Sequence, residues 1–219
     1  MKKEESHECT KERLLDAACK IFAEKGYRGA SVSQICKAAD VNVASVSYYF
    51  GGKEALYQQA WKHAHDIQIK LYPPDGGVDP SCSPEEKLKG RIRMGLQRAL
   101  TGDGIELSII KHEMVNPTGL LLQIIEETIE PLRKSTQENL KEILGPNCDQ
   151  LAMELCEICT VAPWLHATNK KKAKMHKGLS PIFDEKNLTR LVEYYYIFML
   201  GGIQSIRKLL ENTQNEEQS

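Results

Sequence analysis

Apolar residues recur at spacings of three and four along nearly all of the 219-residue chain, and no stretch alternates apolar with polar at period two. A half-buried strand needs that alternation, whereas a helix with one buried face needs spacings of three and four. No Asn-Gly hairpin signal appears either. The expected class is all-α. The length suits one large or two small domains with a real core.

Start and stop signals divide the helices. Thr10 is an N-cap type, followed by Glu12 and Asp16, and Leu14, Leu15, Ala18, Ile21 and Phe22 make a stripe that ends at Lys25-Gly26. Ser31-Val32-Ser33-Gln34 has the form of a capping box and opens a short helix with Val32, Ile35, Ala38 and Ala39 as its apolar positions. Asn42 caps a third helix that runs to Phe50, Gly51-Gly52 break it, and a fourth helix is expected from Lys53 to Leu71 with Leu56, Ala60, Ala64 and Ile67 on one face. Pro73-Pro74-Asp75-Gly76-Gly77 is the clearest loop. Ser83-Pro84 then opens a helix carrying Leu88, Ile92, Leu96 and Leu100, and further helices are expected over 105–115, 118–144, 149–165 and 186–210.

Several classes drop out on composition. No run approaches the roughly 18 uncharged apolar residues of a membrane span. The first eight residues lack an apolar segment, so no secretory leader is expected there. Seven cysteines, an odd number spread along the chain, do not form a disulfide framework, and a reduced cytoplasmic setting is expected. Residues 1–70 hold 11 Lys and Arg against 9 Asp and Glu, within a formal net charge of −1 for the whole. Total charge therefore does not announce a nucleic-acid binder; placement has to decide. No Ser-His-Asp, metal-dyad or phosphate-loop pattern occurs, so neither catalysis nor a cofactor or resident metal is expected.

Helices two and three have helix-turn-helix lengths, joined through Ala39-Asp40-Val41-Asn42. In such a unit the second helix enters the DNA major groove. Val46 and Phe50, four apart, can face inward, which turns Asn42, Val43, Ala44 and Ser47 toward a groove. That outer face is small and polar where an ordinary surface helix would carry Glu and Lys, as close approach to base edges requires. Tyr48 and Tyr49 can place hydroxyls at phosphates. Lys53 stands in the first turn of the fourth helix, where a cation opposes the macrodipole unless an anion binds there. Two short helices and a Gly-Gly turn also occur in proteins that never touch DNA.

The stretch from Thr10 to Leu56 resembles the tetracycline-repressor (TetR) family of bacterial regulators. The resemblance is carried by Ala17 to Tyr27, Ser31 to Ala39, and above all Val41 to Phe50 followed by Gly51-Gly52-Lys53-Glu54-Ala55-Leu56. His112 to Thr118 and Ile129-Glu130-Pro131-Leu132 resemble the effector domain of one TetR subgroup. The resemblance implies an all-helical homodimer that binds double-stranded operator DNA and a small-molecule effector, without a membrane. A DNA-binding domain over 1–52 would precede an effector-binding and dimerisation domain over 53–219. Phosphate contacts fall to Ser31, Ser45, Tyr48, Tyr49 and Lys53. Base contacts fall to Ser33, Val43, Ala44 and Ser47, beside the groove-facing Asn42. The chain departs from common family patterns here, since position 43 is often polar or basic and position 47 often tyrosine. Repression relieved by the effector at a palindromic operator is the implied function, with half-sites about one helical turn apart or somewhat more.

The C-terminal part says less. Val192, Tyr195, Tyr196, Met199, Gly202, Ile203, Ile206 and Leu210 form a helical stripe. A buried core stripe and a dimer seam predict the same pattern; the resemblance favours a seam through Tyr195, Met199, Gly202, Ile203 and Ile206. Cys156-Glu157-Ile158-Cys159 has no second ligand pair for zinc, so it reads either as buried helix cysteines or as a thiol or metal sensor of the same fold. The lysine-rich stretch 170–177 reads as a solvated connector before a second nucleic-acid patch. His112, Glu113 and Asn116, near an Asn-Pro break, and Trp164 and His166, near another helix end, are the candidate effector contacts.

Overall fold

The computed structural model describes the backbone of residues 2–167 and 184–217, and the side chains of 9–163 and 184–213. Every regular element among the described residues is helical. The helices are α1 (Lys2–Gly29), α2 (Val32–Ala39), α3 (Ala44–Phe50), α4 (Lys53–Leu71), α5 (Pro84–Thr101), α6 (Ile105–Val115), α7 (Leu122–Leu144), α8 (Gln150–Ala167) and α9 (Leu188–Glu217), the last preceded by a 3-10 turn at Glu185–Asn187.

The chain forms two compact units, Met1–Gln68 with Asp103–Thr128, and Ile69–Gly102 with Ile129–Ser219. This differs from a boundary at residue 52. Tyr57, Ala60, Trp61 and Ala64 of α4 are buried, and α6 packs on α1. Both helices therefore belong to the first unit, because their apolar faces complete its core.

In the first unit, Leu14, Ala18 and Phe22 of α1, Ile35 of α2, Val46 and Phe50 of α3, and Ile109 of α6 are buried. Phe22 meets Tyr57 edge-on, with centroids 4.8 Å apart. Each of the leucine, isoleucine, valine and phenylalanine side chains contributes about 1.5–3 kcal/mol on burial. The Cys19 thiol donates to the Ala60 carbonyl oxygen at 3.0 Å, and His65 Nδ1 lies 3.1 Å from Glu106 Oε2 between α4 and α6, both side chains buried. Ile67, expected on the apolar face of α4, is exposed.

The second unit is built on one cluster: Leu88, Ile92 and Leu96 of α5, Leu140, Ile143 and Leu144 of α7, Cys156 of α8, and Val192, Met199 and Ile203 of α9. Buried Arg91 fastens its loop. The guanidinium donates to the Pro74 carbonyl oxygen at 3.3 Å, to Thr136 Oγ1 at 3.2 Å and to Ser135 Oγ at 2.8 Å. Gly76, at φ +84°, lies against the Gly90 backbone, and a side chain there would meet Gly90 at 2.3 Å. That contact explains why the proline-glycine loop carries glycine.

Several element bounds move from the expected ones. α1 starts ahead of Thr10 and carries a non-helical Gly26 at φ 68°, ψ 178°. α3 starts at Ala44, two residues after Asn42. α7 starts at Leu122 instead of 118, and it runs on through Pro131.

Candidate nucleic-acid interface

The helix-turn-helix is fixed by local hydrogen bonds that the sequence encodes. At the start of α2, Gln34 N–H donates to Ser31 Oγ at 3.2 Å and Ser31 N–H donates to Gln34 Oε1 at 3.2 Å, a complete capping box. The chain leaves α2 through Asp40 in the left-handed region, φ 53°, a conformation that aspartate tolerates better than most residues. Val41 N–H then donates to the Cys36 carbonyl oxygen at 3.0 Å. Asn42 acts from outside the helix: its Oδ1 accepts the Ala44 N–H at 2.8 Å.

Val46 and Phe50 turn into the core. Asn42, Val43, Ala44, Ser47 and Tyr48 consequently form the outer face of α3, with Val43 52% and Tyr48 72% exposed. Ser45 and Tyr49 are half-buried, whereas Ser31 and Ser33 are exposed. The Tyr48 and Tyr49 rings pack edge to face at 4.9 Å. All ten residues expected at DNA belong to the first unit. Base-facing and phosphate-facing candidates thus lie on α2, α3 and the first turn of α4.

Lys53 holds its ammonium 4.3 Å from the centroid of the Tyr27 ring. The ring face attracts the cation and partly offsets its placement at a helix N-terminus. Burial lowers the Lys53 pKa from its ordinary value, and burial together with Glu54 raises that of Tyr27. An oxyanion arriving here meets an ammonium and the free N–H groups of the first turn of α4.

His112, Glu113 and Asn116 come together around a cavity of about 250 Å³ that also takes in Gly26, Tyr57 and Thr118. The Glu113 carboxylate is fully engaged by its own unit. It accepts from Thr118 N–H and Oγ1 at 2.8 Å, Gly119 N–H at 2.9 Å and the Tyr57 hydroxyl at 3.2 Å. Arg28 donates to the Pro117 carbonyl oxygen at 3.4 Å, and Gln58 donates to that of Leu120 at 2.7 Å. The His112 ring fills the space beside Gly26, where a side chain would meet it at 3.1 Å. Glu113 thus fastens the α6–α7 turn onto α4, and Arg28 ties the same turn to α1. Tyr57, Gln58 and Arg28, which complete this junction, escaped sequence reasoning because no spacing rule joins residues so far apart. The side chains of Trp164 and His166, and the lysine-rich stretch 170–177, lie outside the described residues.

The residues expected at a dimer seam lie mostly within the chain's own packing. Ile203 is 1% exposed and, with Met199, belongs to the chain's own core, while Tyr195 and Ile206 pack against it. Tyr195 also donates its hydroxyl to the Cys159 carbonyl oxygen. Gly202 alone of the five is exposed. The helix carries two apolar faces, and the stripe chosen from the sequence is the inward one. Tyr194, Ile197, Phe198 and Leu209 stand outward on α9, and Leu151, Leu155 and Ile158 outward on α8.

Cys156 is 2% exposed and its thiol is pushed up to about 11, chiefly by burial. A thiol held there stays protonated at neutral pH and is a poor nucleophile or ligand. Among the described residues no group of three His, Cys, Asp or Glu could hold a metal ion, and no helix is long and apolar enough to cross a membrane.

Comparison with known proteins places this geometry. Residues 14–60 match the model of bacterial regulatory proteins of the tetR family, and residues 84–203 match the C-terminal domain of the HTH-type transcriptional dual regulator CecR. The chain is 49% identical over 79 residues to the Bacillus subtilis (strain 168) "Probable HTH-type transcriptional regulator YttP", covering 36% of this chain and 38% of that one. It is 36% identical over 56 residues to the Staphylococcus aureus (strain Newman) biofilm operon icaADBC HTH-type negative transcriptional regulator IcaR, covering 26% and 30%. These matches span well under half the length of either curated relative. Among solved structures, AibR in complex with isovaleryl coenzyme A and operator DNA has a TM-score of 0.65 at 18% identity, covering 84% of this chain and 97% of that one. The fatty acid degradation regulator FadR from Bacillus halodurans has a TM-score of 0.60 at 24% identity, covering 88% and 95%.

Proposed function

Because the chain belongs to the TetR family of bacterial regulators, with a CecR-type C-terminal domain, we propose that it is a ligand-responsive transcriptional repressor. It binds a palindromic operator as a homodimer and releases it when a small molecule binds. The observation that carries this reading is the outer face of α3, uncharged and small between two hydrogen-bonded turns, followed by Tyr48, Tyr49 and Lys53. Groove-facing contacts fall to Ser33, Asn42, Val43, Ala44 and Ser47, and phosphate contacts to Ser31, Ser45, Tyr48, Tyr49 and Lys53.

Dimerisation uses the outward faces of α8 and α9. Leu151, Leu155 and Ile158, and Tyr194, Ile197 and Phe198, repeat the three-four spacing on the side away from the chain's own core, with Leu209 about three turns further along α9. Two such faces related by a two-fold axis bury one another. Negative regulation by IcaR, and the joint binding of ligand and operator by AibR, favour repression with an effector. The effector shifts the equilibrium only by binding the released and DNA-bound states with different affinity. Inside the first unit, the Glu113 junction fixes α6 to α1 and α4, and so conveys any displacement of α6 to the reading head.

Gel shifts on the intergenic DNA beside the gene, across a salt series, test the reading. Affinity falls steeply with salt and one duplex is preferred over bulk DNA. Weak binding that is indifferent to both salt and sequence rejects it.

A further inference from the structure

We infer that α3 reads thymine through its C5-methyl group, by way of Val43 and Ala44, and makes no bidentate hydrogen bond to a base edge; this rests on the DNA-binding reading above. Val43 holds the N-cap of α3 yet makes no side-chain cap bond, at a position where Ser, Thr, Asp or Asn stabilises a helix. The capping is done one residue earlier, by Asn42 Oδ1 on the Ala44 N–H. Position 43 is thereby released to carry an isopropyl group, and it presents that group to solvent. Apolar surface held out in this way gains free energy only against another apolar group.

The same bond engages the one carboxamide on this face. Adenine is recognised when a carboxamide oxygen accepts from N6 while its nitrogen donates to N7. The Asn42 oxygen takes a backbone proton on one of its two lone pairs, and that bond ties the carboxamide to the start of α3. Ser47 offers a single hydroxyl, Val46 and Phe50 point inward, and the α3 sequence Ala44–Phe50 contains no charged residue. Among the major-groove edges of the four bases, thymine alone carries an apolar group. Methyl contact is therefore the direct readout left to Val43 and Ala44, and DNA shape supplies discrimination elsewhere.

A random-duplex library is enriched on the full-length protein, and the strongest duplex is remade with deoxyuridine at each thymine in turn. This removes the methyl, keeps every hydrogen-bonding edge, and leaves the protein's folding untouched. Binding weakens about threefold to tenfold at one or two positions per half-site, and Val43→Ala shrinks the penalty at one of them. Replacing every thymine without loss of affinity overturns the methyl readout while leaving DNA binding intact. A penalty of undiminished size in both Val43→Ala and Ala44→Ser overturns the assignment to these residues. Failure to enrich any duplex overturns the DNA-binding reading itself, and the inference with it.

Discussion

Tyr57 and Glu113, 56 positions apart, meet between α4 and α6, where the phenol donates to Glu113 Oε2 at 3.2 Å with both residues buried. The same carboxylate accepts the backbone N–H groups of Thr118 and Gly119. Removing one donor differs from removing the shared acceptor. Tyr57→Phe deletes one bond of several and costs about 1 kcal/mol, whereas Glu113→Ala takes the shared acceptor from the buried Tyr57 hydroxyl and from the Thr118 and Gly119 donors at once and costs about 3 kcal/mol. Urea unfolding of the two variants measures the difference. Equal losses refute the shared-acceptor arrangement.

The same pair makes stability depend on alkaline pH. Burial first, then the Glu113 charge and hydrogen bond, raise the Tyr57 pKa above its ordinary value. An unfolded tyrosine loses its proton near about pH 10, while the folded one keeps it, so the native state binds more protons above that pH. The stabilisation is full below about pH 10 and falls as the pH rises past it. Tyr57→Phe removes this component. Its urea midpoint therefore declines less steeply between about pH 9 and 11 than that of the unaltered protein, and parallel slopes contradict the mechanism.

The helical class and the head were legible because their signals are local. The Ser31–Gln34 box, the glycine break after Phe50 and the Ser83-Pro84 start each act within four residues of chain. Inward Val46 and Phe50 follow from spacing alone. What stayed hidden depends on choices between equivalent faces or on distant partners. On α9 both the Met199–Ile203 face and the Tyr194–Phe198 face are apolar, and periodicity cannot tell core from seam. Glu113 looked available to a ligand because its acceptor bonds come from Tyr57 and from a turn whose shape no spacing encodes. Asn42 was legible as a cap, yet helix α3 starts two residues later, because the carboxamide bonds an Asx-type turn ahead of the first helical residue.

Lys53→Ala removes a cation expected at backbone phosphate, so specific and non-specific duplexes weaken alike and the salt slope drops by about 1. Tyr27→Leu keeps the charge but removes the ring 4.3 Å beneath it. That variant loses less affinity than Lys53→Ala and leaves the salt slope unchanged. Fluorescence anisotropy at several salt concentrations separates the two. An effect of Lys53→Ala confined to one operator sequence contradicts the phosphate role.

The thiols order themselves by burial. Cys19 is pushed up to about 12, by burial first and then by Asp16, and Cys156 to about 11, whereas Cys9 is exposed. At pH 8, iodoacetamide labels Cys9 rapidly and reaches Cys19 and Cys156 only on unfolding. Peptide mass spectrometry after timed labelling reads the order. Replacing Cys156 and Cys159 together by Ala leaves effector-induced release of DNA unaltered; loss of the response revives the sensor reading.

The two apolar faces of α9 give opposite outcomes on substitution. Phe198, 75% exposed, lies on the outward face, so Phe198→Glu sets a like-charged pair against itself across a two-fold interface and yields a folded monomer. Met199 is buried in the cluster with Leu88, Leu140 and Ile203, so Met199→Ala opens a cavity and costs about 2–5 kcal/mol while association persists. Light scattering reports the oligomer and circular dichroism the melt. The DNA affinity of Phe198→Glu falls as well, because two half-sites are then bound independently rather than by one linked pair. A dimeric Phe198→Glu beside a monomeric, fully stable Met199→Ala reverses the assignment of the faces.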